Sequence, residues 1–216
     1  MVTVAVAGGT GHLGRTIVEA LLATGKHDVK ILSRTPNPTL SLTLGIPIIA
    51  VDYSDTPSLT KKLQELQIHT VISAMSNYDD AAGSHPKEVE LIQAADASVA
   101  TKRFVASRWS APYSEKHIGQ LSSVSNIGLA RTALRSTTAL EHTAFYSGFF
   151  LDYFGMPAVT SHMAPFTMVL DMAHNCAAVP GSGEREVVFT HTRDTARFVA
   201  ASLELEKWES EMVVKG

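Results

Sequence analysis

The stretch AGGTGHLGR, residues 7–15, joins a β-branched run to an amphipathic run. It contains the spacing Gly9-x-Gly11-x-x-Gly14, preceded by Gly8. Glycines permit a tight turn and remove Cβ atoms that would block a pyrophosphate, and the following helix directs its free N–H groups at the anion. The alternative is a glycine turn that serves only close strand–helix packing. The context favours a dinucleotide-binding turn, whose predicted contact residues are Gly8, Thr10, Gly11, His12, Leu13 and Gly14.

Strand-like and helix-like runs alternate on both sides of this turn. The strands are short and apolar and lack polar alternation, which indicates a parallel sheet covered on both faces. The predicted fold is therefore α/β, a Rossmann-type doubly wound parallel sheet. The predicted strands are residues 2–7, 29–33, 46–51, 70–74, 103–107 and 143–146, and the predicted helices are residues 13–23, 57–66, 85–100 and 122–138.

The regular alternation ends near Gly148, where prolines and glycines become frequent. Two short strands and a last helix are predicted there, at residues 166–170, 186–190 and 193–206. Because no linker interrupts the chain, we predict one NAD(P)-binding domain over residues 1–216. Within it, residues 1–147 form the dinucleotide-binding core and residues 148–216 a short, loop-rich, substrate-side region.

Composition excludes several classes of protein. The 216 residues are 45% hydrophobic and 18% charged, with a net charge of -3, so no basic field for nucleic acid exists. No apolar run approaches the roughly 18 residues of a membrane span, and no signal peptide is evident, so we expect a cytoplasmic protein without a membrane partner. The single Cys176 is interpreted as a small buried residue. The histidines show no metal-binding spacing, and in His191-Thr192-Arg193-Asp194 we expect a helix capped by Thr192 or Asp194.

The segment Ser33-Arg34-Thr35 at the end of the second strand distinguishes the two dinucleotides. An NAD site would place Asp or Glu there for the ribose 2′-hydroxyl, and this chain has neither. Arg34 can instead form a bidentate contact with a 2′-phosphate, although an exposed loop arginine is the alternative. We therefore predict NADP(H).

Later strand ends add positional support, because ligands of open α/β sheets bind beyond the carboxyl ends of strands. Asp52 is expected to accept a hydrogen bond from the adenine amino group. Ala74 and Met75 are expected to border the adenosine and the cofactor's ribose. Ser107 closes the strand beside which the nicotinamide should lie.

Four segments of the chain together resemble the NmrA-like, isoflavone-reductase-like branch of the atypical short-chain dehydrogenases, with the fungal members most similar. These segments are AGGTGHLGR, KRFVASRW, LEHTAFYSGFFLDYFGMP and FTHTRDTARFVAASLE. The resemblance extends over nearly the whole chain. It implies a Rossmann-type fold and NADP(H). It also implies either reduction of a small hydrophobic molecule or redox sensing by a non-catalytic regulator.

The chain departs from this family in three ways. Enzymes of the branch usually carry a catalytic lysine early in the helix after the fifth strand, whereas no lysine occurs between Lys116 and Lys207. The family often has an acid after the serine that follows the fifth strand, where this chain has Arg108. Family members are usually longer, so we expect one wall of the substrate pocket to be missing.

Candidate proton donors lie between the fifth strand and the next helix. Tyr113, Lys116 and His117 follow Pro112 in a predicted loop, and a solvated loop without function is the alternative. Their spacing does not match the Tyr-x-x-x-Lys of common short-chain dehydrogenases.

A small hydrophobic substrate is expected beside the aromatic-rich residues 145–154, although these aromatics can equally form core. Trp109 is expected to face them across the cleft, and Arg108 to polarise a carbonyl or bind a carboxylate. A homodimer is compatible with the sequence. The predicted substrate contacts are Arg108, Trp109, Tyr146, Phe149, Phe150 and Tyr153.

These observations favour an NADP(H)-dependent oxidoreductase that reduces a small hydrophobic secondary metabolite, such as a conjugated or aryl ketone. Two alternatives remain open because the lysine is missing. One is a non-catalytic NADP-sensing regulator. The other is a non-redox isomerase or cyclase of a biosynthetic pathway built on the same fold.

Overall fold

A computed structural model gives the structure of the protein and describes residues 1–77, 87–120, 124–167, 169–179 and 181–215. The strands are β1 (Thr3–Ala7), β2 (Asp28–Ser33), β3 (Ile48–Ala50), β4 (Ile68–Ser73), β5 (Arg103–Ala106), β6 (Glu141–Tyr146), β7 (Phe149–Phe150), β8 (Leu170–Asp171), β9 (Cys176–Ala177), β10 (Phe189–Thr190) and β11 (Glu211–Val213). The helices are α1 (His12–Thr24), α2 (Pro38–Leu44), α3 (Thr56–Glu65), α4 (Glu88–Ala97), α5 (Glu115–Gln120), α6 (Ser125–Arg135), α7 (Asp152–Gly155) and α8 (Thr192–Ser202).

Seven strands form one parallel sheet in the order β11-β6-β5-β4-β1-β2-β3. The chain winds from β1 outwards to β3, then returns to β4 and winds in the opposite direction. The crevice beyond the carboxyl ends of β1 and β4 is therefore the switch point at which such sheets bind ligands. The predicted doubly wound α/β fold is confirmed.

The sheet buries both faces. In β1, Val4 and Val6 pack under α1 and α8, whereas Ala5 and Ala7 pack under α3, α4 and α6. All four side chains are completely buried. This two-sided burial explains why the strands are continuously apolar in the sequence.

Two elements of the C-terminal region join the main layers of the fold. α8 packs against α1, and β11 adds a parallel edge strand beside β6. α8 and β11 therefore belong to the sheet and its helical layer. The sequence prediction missed β11 and α2 because each is short and shows no clear apolar period.

Three sequence predictions differ from the structure in residues 148–191. Among the described residues near the strand predicted at 166–170, Leu170 and Asp171 form β8, which pairs with β9, and the strand predicted at 186–190 shortens to β10, which pairs with β7. Cys176 is exposed, not buried, because the β8–β9 hairpin is a separate two-stranded sheet on the surface.

Within the described ranges, no helix combines the length and apolar character needed to cross a membrane.

The amino end of α8 is capped by a buried carboxylate from α7. Asp152 accepts hydrogen bonds from the Thr192 N–H at 2.8 Å and the Thr192 hydroxyl at 2.6 Å, and from the Ser161 hydroxyl. The N-cap residue is His191, not Thr192 or Asp194, because His191 Nδ1 accepts a hydrogen bond from the Arg193 N–H. Burial alone would raise the pKa of Asp152, but the hydrogen bonds from Ser161 and Thr192 and the nearby His191 lower it.

Candidate functional site

Three glycines of the turn after β1 are required by the protein's own packing. Gly8 has φ +78°, and a Cβ there would lie 2.7 Å from the Ala74 carbonyl oxygen. A Cβ on Gly14 would lie 2.2 Å from the Gly8 carbonyl oxygen, and one on Gly9 would lie 2.9 Å from Ile31 Cγ1. These contacts bring the turn against β2, the end of β4 and the first turn of α1.

Gly11 is different, because among the described residues a Cβ there would meet one atom, and only at a mildly tight distance. It is the N-cap of α1 with φ −87° and ψ −177°, which any residue adopts. The nearest atom to a Cβ on Gly11 would be the Gly8 carbonyl oxygen at 3.3 Å, and the residue is exposed. The missing Cβ keeps open the space in front of the first N–H groups of α1. That space and those donors fit a diphosphate.

Of the other predicted contacts in this turn, Thr10 and His12 are exposed, whereas the Leu13 side chain lies in the core under α1. His12 Nδ1 is 2.6 Å from the His162 carbonyl oxygen, and since a carbonyl only accepts, Nδ1 carries the hydrogen. His162 in turn contacts Glu19 through Nε2 at 2.9 Å. The segment around His162 therefore crosses the amino end of α1 and borders the glycine turn.

Arg34 follows β2 at the same edge and is exposed. Within the described part of the chain its guanidinium has no ion pair or hydrogen bond, so it is available to an anion. It lies near Tyr53, whose hydroxyl donates to the Leu32 carbonyl at 3.0 Å: burial raises the pKa of Tyr53 and the Arg34 charge opposes that rise. Asp52 is also exposed, and one carboxylate oxygen accepts from the Ser54 N–H at 2.8 Å.

The ends of β4 and β5 are tied together at the switch point. Ala74 and Met75 are half-buried, and the Ala74 N–H donates to the Ala7 carbonyl at 2.8 Å. The Ser107 hydroxyl donates to the Met75 carbonyl at 2.7 Å. The predicted contacts of the turn, Arg34 and these strand ends thus lie at one edge of the sheet.

Arg108 does not extend into this edge, where a substrate contact was predicted. Its side chain is 4% exposed and pairs with Glu88, which is 2% exposed, at 2.9 Å. Neither Glu88 nor Asn77, which also contacts Arg108, was predicted from the sequence. An acid at the start of a helix is a common surface residue, so only the fold brings it against Arg108. A substrate contact by Arg108 would require this pair to open.

Trp109 packs directly on the aromatic segment instead of facing it across a cleft. Its ring stacks on Phe145 with centroids 5.9 Å apart, and its indole N–H donates to the Ser73 carbonyl at 3.0 Å. Tyr146 points to the opposite face of the sheet, where its hydroxyl donates to Glu211 at 3.0 Å. Phe145 and Tyr146 are both buried and form core.

The remaining predicted substrate contacts are half-buried and belong to two groups of rings beyond β6. In one group, Phe149 lies 6.0 Å from Phe189. In the other, Phe150 lies 6.3 Å from Tyr153, which packs edge-on against Phe166 at 5.5 Å, and Phe166 is 54% exposed. The second group provides apolar surface that is open to solvent at Phe166.

The candidate proton donors lie partly on a helix, not in the predicted loop. Lys116 and His117 belong to α5, which is stabilised at its start by Ser114: the His117 N–H donates to the Ser114 hydroxyl at 3.3 Å. Both side chains are exposed. The Tyr113 carbonyl accepts from Arg131 of α6 at 2.8 Å, which fixes the loop against that helix.

Two surface cavities lie away from this edge. One of about 440 Å³ lies between α1 and α8, and one of about 710 Å³ lies at the amino ends of β1, β4 and β5. Neither borders a strand's carboxyl end, so sheet topology favours the switch point as the ligand site. The described residues contain no group of three or more potential metal-ligating side chains.

The seven-stranded sheet and the open glycine turn define a Rossmann-type protein with a site suited to a diphosphate. The sequence profile of the NmrA-like family matches residues 2–215, so the chain belongs to the NmrA-like family, as the sequence motifs predicted.

Relatives of this chain include named oxidoreductases. Oxidoreductase BOA1 of Botryotinia fuckeliana (strain B05.10) is 41% identical over 218 residues, covering 100% of this chain and 71% of that protein. Oxidoreductase swnN of Metarhizium robertsii (strain ARSEF 23 / ATCC MYA-3075) is 32% identical over 240 residues, covering 99% and 69%. Among solved structures, AtPrR2 with NADP+ and (+)pinoresinol matches with a TM-score of 0.73 and 25% identity, covering 100% and 70%.

Proposed function

We propose that this protein is an NADP(H)-dependent oxidoreductase that reduces a small hydrophobic molecule, working in the cytoplasm. The observation that carries the proposal is Gly11, where the backbone conformation suits any residue and a Cβ would meet only a mildly tight contact in the described structure, so that its absence leaves the amino end of α1 open. The names of the relatives, oxidoreductases and a structure holding NADP+, support the same class.

Different residues at the sheet edge would bind different parts of the dinucleotide. The N–H groups at the start of α1 would bind the diphosphate, and the free Arg34 guanidinium would pair with the 2′-phosphate. Asp52 would accept from the adenine, Ala74 and Met75 would border the adenosine and the cofactor's ribose, and Ser107 would lie beside the nicotinamide. The absence of an acid after β2 supports NADP(H) over NAD(H).

When bound, the reduced nicotinamide supplies a hydride, and the protein must then orient the acceptor and provide a proton. Phe149, Phe150 and Tyr153 offer a half-buried apolar surface for a flat substrate. Tyr113, Lys116 and His117 are the protein groups we propose as proton donors. Arg131 cannot take this role readily, because a guanidinium keeps its proton at any ordinary pH.

A dinucleotide-binding regulator without turnover is the second candidate. It is favoured by the sequence of α6, which contains no lysine, whereas enzymes of the isoflavone-reductase-like branch usually carry a lysine there. Such a protein would bind NADP(H) through the same glycine turn and Arg34 but consume none. A non-redox isomerase or cyclase would likewise bind and convert a substrate without consuming NADPH.

Calorimetry with NADPH and NADH tests the binding part of the proposal. We expect NADPH to bind, and to bind more tightly than NADH. The proposal would be refuted if neither NADPH nor NADH binds. NADPH consumption with aryl ketones and conjugated ketones then separates a reductase from a sensor or a non-redox enzyme.

A further inference from the structure

The Glu88–Arg108 ion pair is buried next to the proposed nicotinamide end of the site. Glu88 is the first residue of α4, and both of its carboxylate oxygens are used. Oε1 accepts from the Ser107 N–H at 2.7 Å and Oε2 accepts from Arg108 Nη1 at 2.9 Å. A buried ion pair is costly to desolvate and persists only with this kind of additional hydrogen bonding.

The Arg108 guanidinium also bonds to its neighbour Ser107 and connects two further segments. It donates to the Ser107 carbonyl at 2.7 Å, to Asn77 Oδ1 at 3.4 Å and to the Ile127 carbonyl of α6 at 3.2 Å. Asn77 in turn donates through its side-chain amide to the Ser107 carbonyl, and its own carbonyl accepts from Asn126 at 3.2 Å. The pair therefore fixes the segment after β4, the end of β5 and the starts of α4 and α6 relative to one another.

This network reaches the glycine turn through Ser107 and the segment after β4. The Ser107 hydroxyl holds the Met75 carbonyl, and the preceding Ala74 carbonyl is the atom against which Gly8 packs. Arg34 and Asp52, by contrast, follow strands on the other side of β1. The ion pair is thus bonded directly to Ser107, the residue proposed beside the nicotinamide, and lies across β1 from Arg34 and Asp52.

We propose that Glu88 and Arg108 are positioning residues, which hold the ends of β4 and β5 in place for the nicotinamide half of the dinucleotide. This inference rests on the proposed NADP(H) function. It assigns a role to Arg108, at the position where the isoflavone-reductase-like branch often has an acid.

The test compares two probes on the double variant Glu88→Gln/Arg108→Met, which removes both charges and so leaves neither unpaired. NADPH contains both halves of the dinucleotide, whereas 2′,5′-ADP lacks the nicotinamide riboside. Well below the melting temperature, we expect the Kd for NADPH to rise roughly tenfold, the equivalent of one ordinary hydrogen bond, and the Kd for 2′,5′-ADP to stay unchanged. Equal weakening of both probes, or no weakening of either, would overturn the inference.

A matched control lies at the other end of the same strand. Arg103 begins β5 and pairs with Glu141 at 2.7 Å, with 13% and 31% exposure of the two side chains. Arg103→Met/Glu141→Gln should lower thermal stability without separating the two probes. If Glu88→Gln/Arg108→Met does not fold, Arg108→Lys, which keeps the charge but loses the planar fork, should still weaken NADPH selectively. If the wild type binds neither probe, the proposed function itself is refuted.

Discussion

The variant Gly11→Ser distinguishes two interpretations of the glycine turn, one in which it binds a diphosphate and one in which it serves only packing. Serine is a preferred N-cap, and the extended backbone of Gly11 is the conformation in which its hydroxyl accepts from an N–H of the first turn. α1 has no side-chain cap bond at present. We expect Gly11→Ser to raise the free energy of unfolding by a few tenths of a kcal/mol. Only the 3.3 Å approach to the Gly8 carbonyl must relax.

Binding should change in the opposite direction, because the serine side chain would occupy the space and the donors that the diphosphate needs. Losing one charge-assisted hydrogen bond costs about 1.5–3 kcal/mol, so NADPH should bind roughly ten- to hundredfold more weakly. Calorimetry measures the affinity, and urea denaturation without ligand measures the stability. A variant that gains stability and loses affinity would be difficult to explain by a packing turn.

Gly14→Ala is the control for this experiment. Its Cβ would lie 2.2 Å from the Gly8 carbonyl oxygen, so the backbone must move. We expect a loss of about 1–3 kcal/mol of stability, as for other overpacked sites. If Gly11→Ser binds NADPH like the wild type, the cradle is wrong. If Gly11→Ser is destabilised as much as Gly14→Ala, the open space at Gly11 is wrong.

Three further predictions concern other residues. Arg34→Ala should reduce the preference for NADPH over NADH about ten- to hundredfold in calorimetry, and an unchanged ratio of the two Kd values would contradict the 2′-phosphate contact. Asp152→Asn should lower the melting temperature by roughly 4–8 °C at neutral pH, for about 2 kcal/mol lost. Since the folded-state pKa of Asp152 is depressed, its contribution is present above the unfolded pKa and lost as pH falls through the folded pKa, so the variant and wild type should converge in acid. In steady-state kinetics with NADPH and a reducible substrate, one of Tyr113→Phe, Lys116→Ala and His117→Ala should slow turnover about a hundredfold; three active variants would favour a proton from substrate or water.

The parts of the fold that the sequence predicts are those with local causes. A β-branched run, a glycine turn and an amphipathic run are contiguous, so β1 and α1 were predicted almost to the residue. The end of β2, with Arg34 free of partners in the described structure, followed from the same local order. By contrast, β11 forms because β6 offers it an unpaired edge, which no pattern within residues 211–213 records. Asp152 likewise caps α8 from 40 residues earlier in the chain.

Arg108 shows what the sequence leaves out about a candidate site residue. The sequence correctly suggests that a residue after β5 lies near the switch point, and an arginine in a loop normally reaches solvent. Its burial depends on Glu88, which precedes it by 20 residues on another element. Where the two groups meet, the buried arginine bonds to the Ser107 carbonyl and to Asn77, at the ends of β5 and β4. The probe experiment on the Glu88–Arg108 pair therefore decides whether this burial has a consequence for the dinucleotide.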